Sequence, residues 1–457
     1  MDTTGLKTRI EMECVQEYIK LFEDNRSLIN EPCAKKLNDE REKAFIRFKT
    51  AGLPKIKDEN WLHTNVAKKF ETDYGMDLGR KARINDVKGS FTCDVPNLKT
   101  IRGYIVNDHF VITEKDCDKF PEGVIIGNIN EIADQYPALI DNYYNRLAEK
   151  GDSIVQFNTS FAQDGVVIYI PKNIVIEETI QIVALLQTNV DILTNRRLVV
   201  IMEENSRASL LLCDHSSTDK KSLSTSVTEI FIGRGASLDL YELEETTDSN
   251  TRLGNLYVSQ EKDSRFNHCN ITLTNGFTRN YIEVTLDGEG AETNINGLAI
   301  GDKKQHIDNR TLVEHKKGHC TSNELYKYIL DEESTGVFAG KMLICTDAQQ
   351  TVSQQTNRNL CLTSCARMYA QPQLEIYADD VKCSHGSTVG QLDENALFYM
   401  QQRGIPADEA RHLLMYAFAG EVTANIKLEA LRERLHILVE KRFRGELNHC
   451  KGCSLCK

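Results

Sequence analysis

A short segment around residue 383 carries the residue types that bind soft or borderline metals. In the run ADDVKCSHGSTVG, which begins at Ala378, one residue separates a cysteine from a histidine. Because alternate side chains of an extended strand share a face, Cys383 and His385 should point the same way. A thiolate and an imidazole together suit iron or zinc. Two ligands do not complete a coordination sphere, so the pair predicts a site that another part of the fold or a second subunit completes. On spacing alone, a buried cysteine beside a structural histidine is the alternative.

The C-terminal segment HCKGCSLCK is a second candidate metal site. Cys450, Cys453 and Cys456 are each separated by two residues, and His449 lies next to the first of them. This spacing matches the first three cysteine ligands of a bacterial ferredoxin, although a fourth cysteine with its proline does not follow. We therefore predict that these cysteines bind iron, zinc or a cluster. A frayed cysteine-rich tail without metal is the alternative.

Signatures of common enzymes are missing from the sequence. The run GVFAGKM, from Gly336 to Met342, resembles a phosphate-binding loop but has three residues between its glycines instead of four. It also has a methionine where such a loop needs a magnesium-binding hydroxyl. No nucleophile elbow, zinc-protease helix or dinucleotide fingerprint occurs either. These observations predict a protein that is not an enzyme and has no ATPase site of its own.

The middle of the chain has the pattern of a repetitive β structure. From about residue 153, short β-rich runs follow one another, separated by Gly, Asn, Asp and Ser, and no helical stretch is long enough to cross between parallel strands. Five segments place a turn just before a strand, at a period of about 25 to 30 residues that is typical of stacked coils. They align on Ala208, Ala236, Phe266, Ala291 and Cys320. The pattern favours a mainly β protein with a right-handed parallel β-helix, and a β-sandwich is the alternative.

Both ends of the chain have helical patterns. The predicted regions are a mainly helical N-terminal region, a β-helix core, a C-terminal helical domain and a cysteine-rich tail, at 1–152, 153–390, 391–446 and 447–457. The only tryptophan, Trp61, is expected in a core or cap position. Asp393 is suited to cap the first C-terminal helix and Gly404 to end it.

The later C-terminal helices carry broad apolar faces. Such faces either dock a partner or close the end of a β-helix, and the sequence favours neither. The residues expected on these faces are Leu413, Leu414, Ala417 and Phe418 in one helix, and Leu428, Leu431, Leu435 and Leu438 in the next.

Composition narrows the class of protein. The 457 residues carry a formal net charge of -12, which argues against general binding to nucleic acid or anionic membranes. No apolar run approaches the roughly 20 residues of a membrane span, and the first residues lack the apolar core of a signal peptide. Fourteen cysteines are too few for a disulfide scaffold of this length. We therefore expect a cytoplasmic protein with no nucleic-acid or membrane partner.

The run ADDVKCSHGSTVGQLDENALFYMQQRGI, from Ala378 to Ile405, resembles the signature of the SufD family of iron–sulfur cluster assembly proteins. The segments NELYKYIL, GVFAGKM and AQQTVSQQTN are similar to the family too, as is FNTSFAQDGVVIYIPKNIVIEETIQI. The AGLPKIKDENW segment is also similar, although Leu62 and His63 replace the usual basic and aromatic pair. The KCSHG sequence favours SufD over its paralogue SufB.

This resemblance implies a scaffold subunit of a SufBCD-type complex. It implies a SufB-like paralogue as partner and a SufC-like ATPase bound through the C-terminal helices. The sequence leaves open whether the chain forms a homodimer when its partners are absent. On the same resemblance, His385 faces the SufB-like partner and helps hold transient iron or a nascent cluster, and Cys383 matches the family's cysteine. Two other interpretations stay open: a metal or redox sensor that uses the C-terminal cysteine tail, and a β-helix protein that binds polysaccharide.

Overall fold

The computed structural model describes residues 3–79, 95, 97–216 and 220–446. The strands are β1 (Gly75–Met76), β2 (Thr100–Val106), β3 (His109–Ile112), β4 (Ile125–Asn128), β5 (Val166–Ile170), β6 (Thr179–Leu186), β7 (Ile192–Met202), β8 (Arg207–Ser216), β9 (Ser222–Ile232), β10 (Ser237–Glu245), β11 (Asn250–Gln260), β12 (Arg265–Thr274), β13 (Phe277–Leu286), β14 (Glu292–Gly301), β15 (His306–His315), β16 (Thr321–Leu330), β17 (Thr335–Ile344), β18 (Thr351–Cys361), β19 (Arg367–Ile376) and β20 (Val381–Gly390).

The helices flank this run of strands on both sides. They are α1 (Thr3–Asp24), α2 (Arg26–Asn30), α3 (Lys35–Ala51), α4 (Ala67–Phe70), α5 (Glu114–Cys117), α6 (Ile129–Gln135), α7 (Pro137–Tyr143), α8 (Ser153–Phe161), α9 (Glu394–Gln402), α10 (Ala407–Thr423) and α11 (Glu429–Phe443). Among the described helices, none has the length and apolar character needed to cross a membrane.

The strands form two ten-stranded sheets, which we call sheet A and sheet B. In sheet A the order is β19-β17-β15-β13-β11-β9-β7-β5-β4, with β1 beside β7; in sheet B it is β20-β18-β16-β14-β12-β10-β8-β6-β2-β3. The chain therefore alternates between the sheets from β5 onward, and each strand pairs in parallel with the strand two positions later in sequence. This is a β-solenoid of about seven turns. The predicted mainly β architecture with flanking helices is confirmed.

The sequence repeat corresponds to the coils, but the alignment of its members was partly wrong. All five aligned segments begin strands of sheet B. Ala208 and Phe266 occupy one column of register-paired residues. The other three positions, Ala236, Ala291 and Cys320, lie two residues before that column. A shift of two residues keeps a side chain on the same face of its strand, so the hydrophobic pattern alone does not reveal it.

The N-terminal helices cover the outer face of sheet A. An aromatic cluster joins α1, α3 and α8 to this face, and Phe22 and Phe45 stack with ring centroids 4.0 Å apart. Phe157 in α8 packs edge-on against Tyr18 and Phe70. These contacts bury one face of α1 and of α3 and nearly all of α8, and such packing is the main source of helix stability in a protein.

Hydrogen bonds and a cation–π contact of buried charged side chains hold the segment that contains Trp61 against sheet A. Trp61 is buried, its Nε1 donates to Asp152, and the guanidinium of Arg279 lies over its ring at 3.7 Å. The Asp308 carboxylate accepts hydrogen bonds from the Thr64 hydroxyl at 2.5 Å and from Nε of Arg310 at 3.1 Å. The predicted core position of Trp61 is therefore confirmed, and its surroundings form a charged clamp.

Two of the C-terminal helices, α10 and α11, cover the outer face of sheet B. Their buried residues join one apolar cluster with strands β8 to β16. In α11 the buried face includes Leu431, Leu435 and Leu438, as predicted. In α10 the predicted apolar face is not buried as a whole, because Leu413 and Ala417 are exposed and Leu414 and Phe418 are half-buried. The face of α10 that is buried consists of Ala410, Met415, Ala419, Val422 and Thr423.

Candidate functional site

The last strand of sheet B places Cys383 and His385 at one end of the solenoid. Strand β20 pairs with β18, with Cys383 opposite Ser353 and His385 opposite Gln355. Ser353 and Gln355 are each only 1 % exposed and point into the space between the sheets. Since register-paired residues of parallel strands share a face, Cys383 and His385 both point to the interior side. The predicted common face of the two residues is confirmed.

These two residues are accessible because β20 belongs to the final coil. His385 is exposed, which does not fit the alternative of a buried structural histidine, and Cys383 is half-buried. The thiol packs beside Ile344 and Ala378, and burial raises its pKa. At neutral pH the thiol therefore keeps its proton until a bound metal displaces it. The free chain thus offers an accessible imidazole next to a protonated thiol.

The interior of the solenoid becomes polar directly beneath the site. In the column that leads to His385, Ile295 is followed in successive strands by Glu324, Gln355 and then the histidine itself. Ile295, Glu324 and Gln355 are all buried. In the column that leads to Cys383, the buried residues are Thr293, Ser322 and Ser353 in successive strands. We call Ser322, Glu324, Ser353 and Gln355 the polar floor of the site.

Hydrogen bonds tie the polar floor together. Nε2 of Gln355 donates to Oε2 of Glu324 at 2.7 Å. The hydroxyls of Ser353 and Ser322 lie 2.9 Å apart, and the Ser322 hydroxyl lies 2.8 Å from Nε2 of His315. Burial raises the pKa of Glu324 to about 7 and lowers that of His315 to about 4. The floor is thus a buried platform, in which burial favours the uncharged forms of Glu324 and His315, beneath the two accessible residues of the last strand.

Sequence reasoning missed the polar floor, although a signal was present. Strand β18 alternates small or amide side chains on its buried face: Ser353, Gln355, Asn357 and Asn359. A period of two in polar residues normally marks the solvent side of a strand. Here the polar face is the inner one, which becomes evident only once the strand is placed within the solenoid.

The GVFAGKM segment lies within strand β17 and contributes to this floor. A phosphate-binding loop needs a glycine-rich turn that leads into a helix. Here the segment is extended instead, between β15 and β19 in sheet A. A Cβ atom added at Gly340 would lie 2.2 Å from Nε2 of Gln355. The glycine therefore leaves the room that the Gln355 amide occupies.

The same end of the solenoid presents the edges of both sheets. Strand β19 ends the order of sheet A and β20 ends that of sheet B, within the part of the chain that the structure describes. Exposed apolar side chains occur along the final coils, namely Val352, Ile376, Tyr377 and Val389. Unpaired strand edges with apolar side chains are templates for pairing with another chain. This end has the properties of a subunit interface.

A second exposed apolar surface lies on helix α9. Asp393 caps this helix as predicted, accepting hydrogen bonds from the backbone N–H groups of Asn395 and Ala396. The following turn contains Phe398 and Tyr399, which are 63 % and 61 % exposed. None of the residues of α9 is buried in the chain. Adjacent exposed aromatic residues are typical of protein docking sites.

The described residues do not complete a metal site. In the segments 3–79, 97–216 and 220–446 with residue 95, no group of three or more His, Cys, Asp or Glu residues is placed to hold an ion. A metal ion held by Cys383 and His385 would therefore take its other ligands from outside this part of the chain. The candidate ligands Cys450, Cys453 and Cys456 lie outside the described residues, so their metal site stays a prediction.

These features define the chain as a β-solenoid with a cysteine–histidine pair at an end suited to pairing. The model of a family described as "SUF system FeS cluster assembly, SufBD core domain" matches residues 185–418. A second, described as "SufBD protein N-terminal region", matches residues 12–182. The chain belongs to the SufBD family of iron–sulfur cluster assembly proteins.

Individual relatives agree with this family. An iron–sulfur cluster assembly SufBD family protein of Synechocystis is 29 % identical over 401 residues, which cover 85 % of this chain and 87 % of the relative. The iron–sulfur cluster assembly protein SufD of Bacillus subtilis is 25 % identical over 456 residues, covering 97 % and 100 %. SufD of Escherichia coli is 38 % identical over 185 residues, covering 40 % and 44 %. The resemblance to SufD found in the sequence is confirmed.

Proposed function

We propose that this chain is the SufD-like scaffold subunit of a SufBCD-type complex. In this proposal His385 and Cys383 hold nascent iron or a nascent iron–sulfur cluster at the interface with a SufB-like partner. The family assignment supports a role in cluster assembly. The observation that carries the proposal is the position of both side chains on the last strand, facing inward at an open end.

An incomplete site suits a scaffold that must release what it builds. A closed structural site has four protein ligands and holds its metal firmly. Here one imidazole and one half-buried thiol are available, so partner ligands complete the sphere only while the subunits are together. A soft thiolate and a borderline imidazole match iron in such a mixed site. The metal or cluster is cargo in this proposal.

The SufB-like partner pairs with the free edges of β19 and β20. Adding strands to these edges extends both sheets and satisfies backbone groups that water otherwise solvates. It also covers the exposed apolar side chains Ile376 and Val389. When that partner is absent, a second copy of this chain uses the same edges in a symmetric dimer.

The SufC-like ATPase binds the C-terminal helices within residues 391–446. Helices α10 and α11 bury their apolar faces on sheet B, whereas α9 leaves Phe398 and Tyr399 exposed. The aromatic pair is therefore the proposed anchor for the ATPase. Aromatic residues of this kind carry much of the binding energy at protein interfaces.

Affinity purification from the native host tests the complex and the anchor together. The double variant Phe398→Ser/Tyr399→Ser should lose at least about tenfold in co-purified ATPase, because buried aromatic hot spots often contribute 2 kcal/mol or more each. The SufB-like partner and the iron content should be retained. A matched control is Ile46→Ser in α3, where Ile46 is 64 % exposed. Equal recovery of ATPase with the double variant and with the control would show that the anchor lies elsewhere.

The cysteine tail is proposed to bind iron, zinc or a cluster weakly and to exchange it with the interface site. Changing Cys450, Cys453 and Cys456 together to serine keeps the length of the tail and removes its thiolates. This variant should contain less metal per purified chain and load metal more slowly, with complex formation unchanged. Metal analysis and a time course of iron loading measure both effects. The proposed role would be refuted if the triple-serine variant and the wild-type protein had the same metal content and the same loading rate.

A further inference from the structure

We propose that Gln355 and Glu324 are positioning residues for His385: the Gln355 amide, held by Glu324, accepts a hydrogen bond from one ring nitrogen of the histidine and so directs the other toward the metal. This inference rests on the proposed function, since it assigns the histidine as a metal ligand. It adds two buried residues of the polar floor to the site. Neither of them touches the metal.

The register places the three residues in one column. Glu324, Gln355 and His385 are successive partners across β16, β18 and β20. Paired residues of adjacent strands have Cα atoms about 5 Å apart, which is within reach of a side-chain hydrogen bond. The register therefore places the His385 side chain within reach of the Gln355 amide, on the interior side.

One polar atom of the Gln355 amide, its Oε1, has no hydrogen-bond partner among the described residues. The Nε2 atom donates to Glu324, which fixes the orientation of the amide. The Oε1 atom is also buried. A buried acceptor without a partner costs about 1–3 kcal/mol, so such an atom calls for an explanation. An N–H donor from the next strand would satisfy it.

Gly340, in sheet A, has no side chain and so leaves space for the Gln355 amide of sheet B. The ideal Cβ position at residue 340 lies 2.2 Å from Nε2 of Gln355 and 2.8 Å from the ring of Phe338. Any side chain at this position would displace the amide. The interior of the last coils is thus shaped around one orientation of Gln355.

The chemistry of metal-bound histidine explains how the Gln355 amide could orient His385. A neutral imidazole has one N–H donor and one nitrogen that can bind a metal. Histidine ligands almost always donate the second ring nitrogen to a carboxylate, a carbonyl oxygen or water, which fixes the tautomer and the ring direction. The Gln355 Oε1 atom is such an acceptor. Removing an outer partner of this kind typically lowers metal affinity about 10–100-fold.

The experiment combines a spectroscopic readout with metal binding in the full-length chain. In protein with 15N-labelled histidine, at a pH where the imidazole is neutral, His385 should occupy mainly one tautomer; its signals are assigned by their loss in His385→Ala. Gln355→Leu should shift His385 toward a mixture of tautomers and weaken binding of Co²⁺, used as a spectroscopic probe, about 10–100-fold.

Controls separate this inference from a general loss of structure. Gln354→Leu is the matched control, because Gln354 is the neighbouring glutamine in β18 but is exposed. Gly340→Ala should reproduce the effect of Gln355→Leu by displacing the amide. If Gln355→Leu and Gln354→Leu both keep the wild-type tautomer and Co²⁺ affinity, the positioning role is wrong. If His385→Ala binds Co²⁺ as the wild type does, the ligand role fails, and the tautomer comparison still decides whether Gln355 orients the ring.

Discussion

Replacing His385 by alanine should abolish most iron–sulfur cluster assembly by the complex and hardly change the stability of the chain. The side chain is exposed on the last strand, and substitutions at exposed positions usually change stability by less than about 0.5 kcal/mol. The melting temperature should therefore change by less than about 2 °C. Loss of a ligand should reduce iron affinity at least tenfold, since loss of an outer partner alone costs about 10–100-fold.

The measurements are iron per purified complex, cluster reconstitution and complementation of a strain that lacks its own scaffold subunit. Cys383→Ala is the natural comparison and should have a weaker effect, because burial raises the pKa of this thiol and disfavours the thiolate that binds metal. Full complementation by His385→Ala would contradict its role as a ligand. A large fall in melting temperature would instead indicate a structural role for the histidine.

Replacing Asp308 by alanine should destabilise the chain by about 3–5 kcal/mol, the usual cost of removing one partner from a buried ion pair. Asp308 is fully buried, and its carboxylate receives hydrogen bonds from Arg310 and Thr64. Nε of Arg279 lies 3.8 Å from the same carboxylate. In the Asp308→Ala variant, Arg279 and Arg310 stay buried but lose the negative charge beside them. The Trp61 segment should detach from sheet A before the solenoid itself unfolds.

Trp61 provides a direct measurement of this effect, because it is the only tryptophan of the chain. Its fluorescence in a denaturant titration should report a transition at a lower denaturant concentration in Asp308→Ala. A matched control is Glu333→Ala, which removes an ion pair with Lys304 whose two side chains are largely exposed. This control should change stability very little, since exposed pairs contribute little. Equal midpoints for both variants would show that the clamp does not stabilise the chain.

The sequence alone was sufficient for features that depend on neighbouring residues. Asp393 is followed by a helix because its carboxylate accepts hydrogen bonds from the first free N–H groups, and Gly404 follows the end of that helix with φ +84°. The common face of Cys383 and His385 follows from the alternation of side chains along a strand. The coil period was also readable, because each coil repeats its turn and its apolar positions.

Some hydrophobic patterns in the sequence are compatible with more than one packing or strand register, and in these cases tertiary contacts determine the structure. Helix α10 is apolar on several sides, and only its packing on sheet B selects Met415 and Ala419 for burial while Leu413 stays exposed. The coils could be aligned with a shift of two residues at Ala236 without any change in burial, so hydrogen bonding between strands fixed their register. Local sequence carries no information about either choice.

Some features of the candidate site were likewise predictable from the sequence, and others depend on the folded chain. The sequence identified the cysteine and the histidine, because their residue types and spacing are local. Whether His385 is buried or accessible depends on β20 being the last strand of its sheet, which is a property of the whole solenoid. The partnership of Glu324 with Gln355 joins residues 31 positions apart in sequence. Such contacts arise only when successive coils stack, so only the folded chain reveals the polar floor beneath the site.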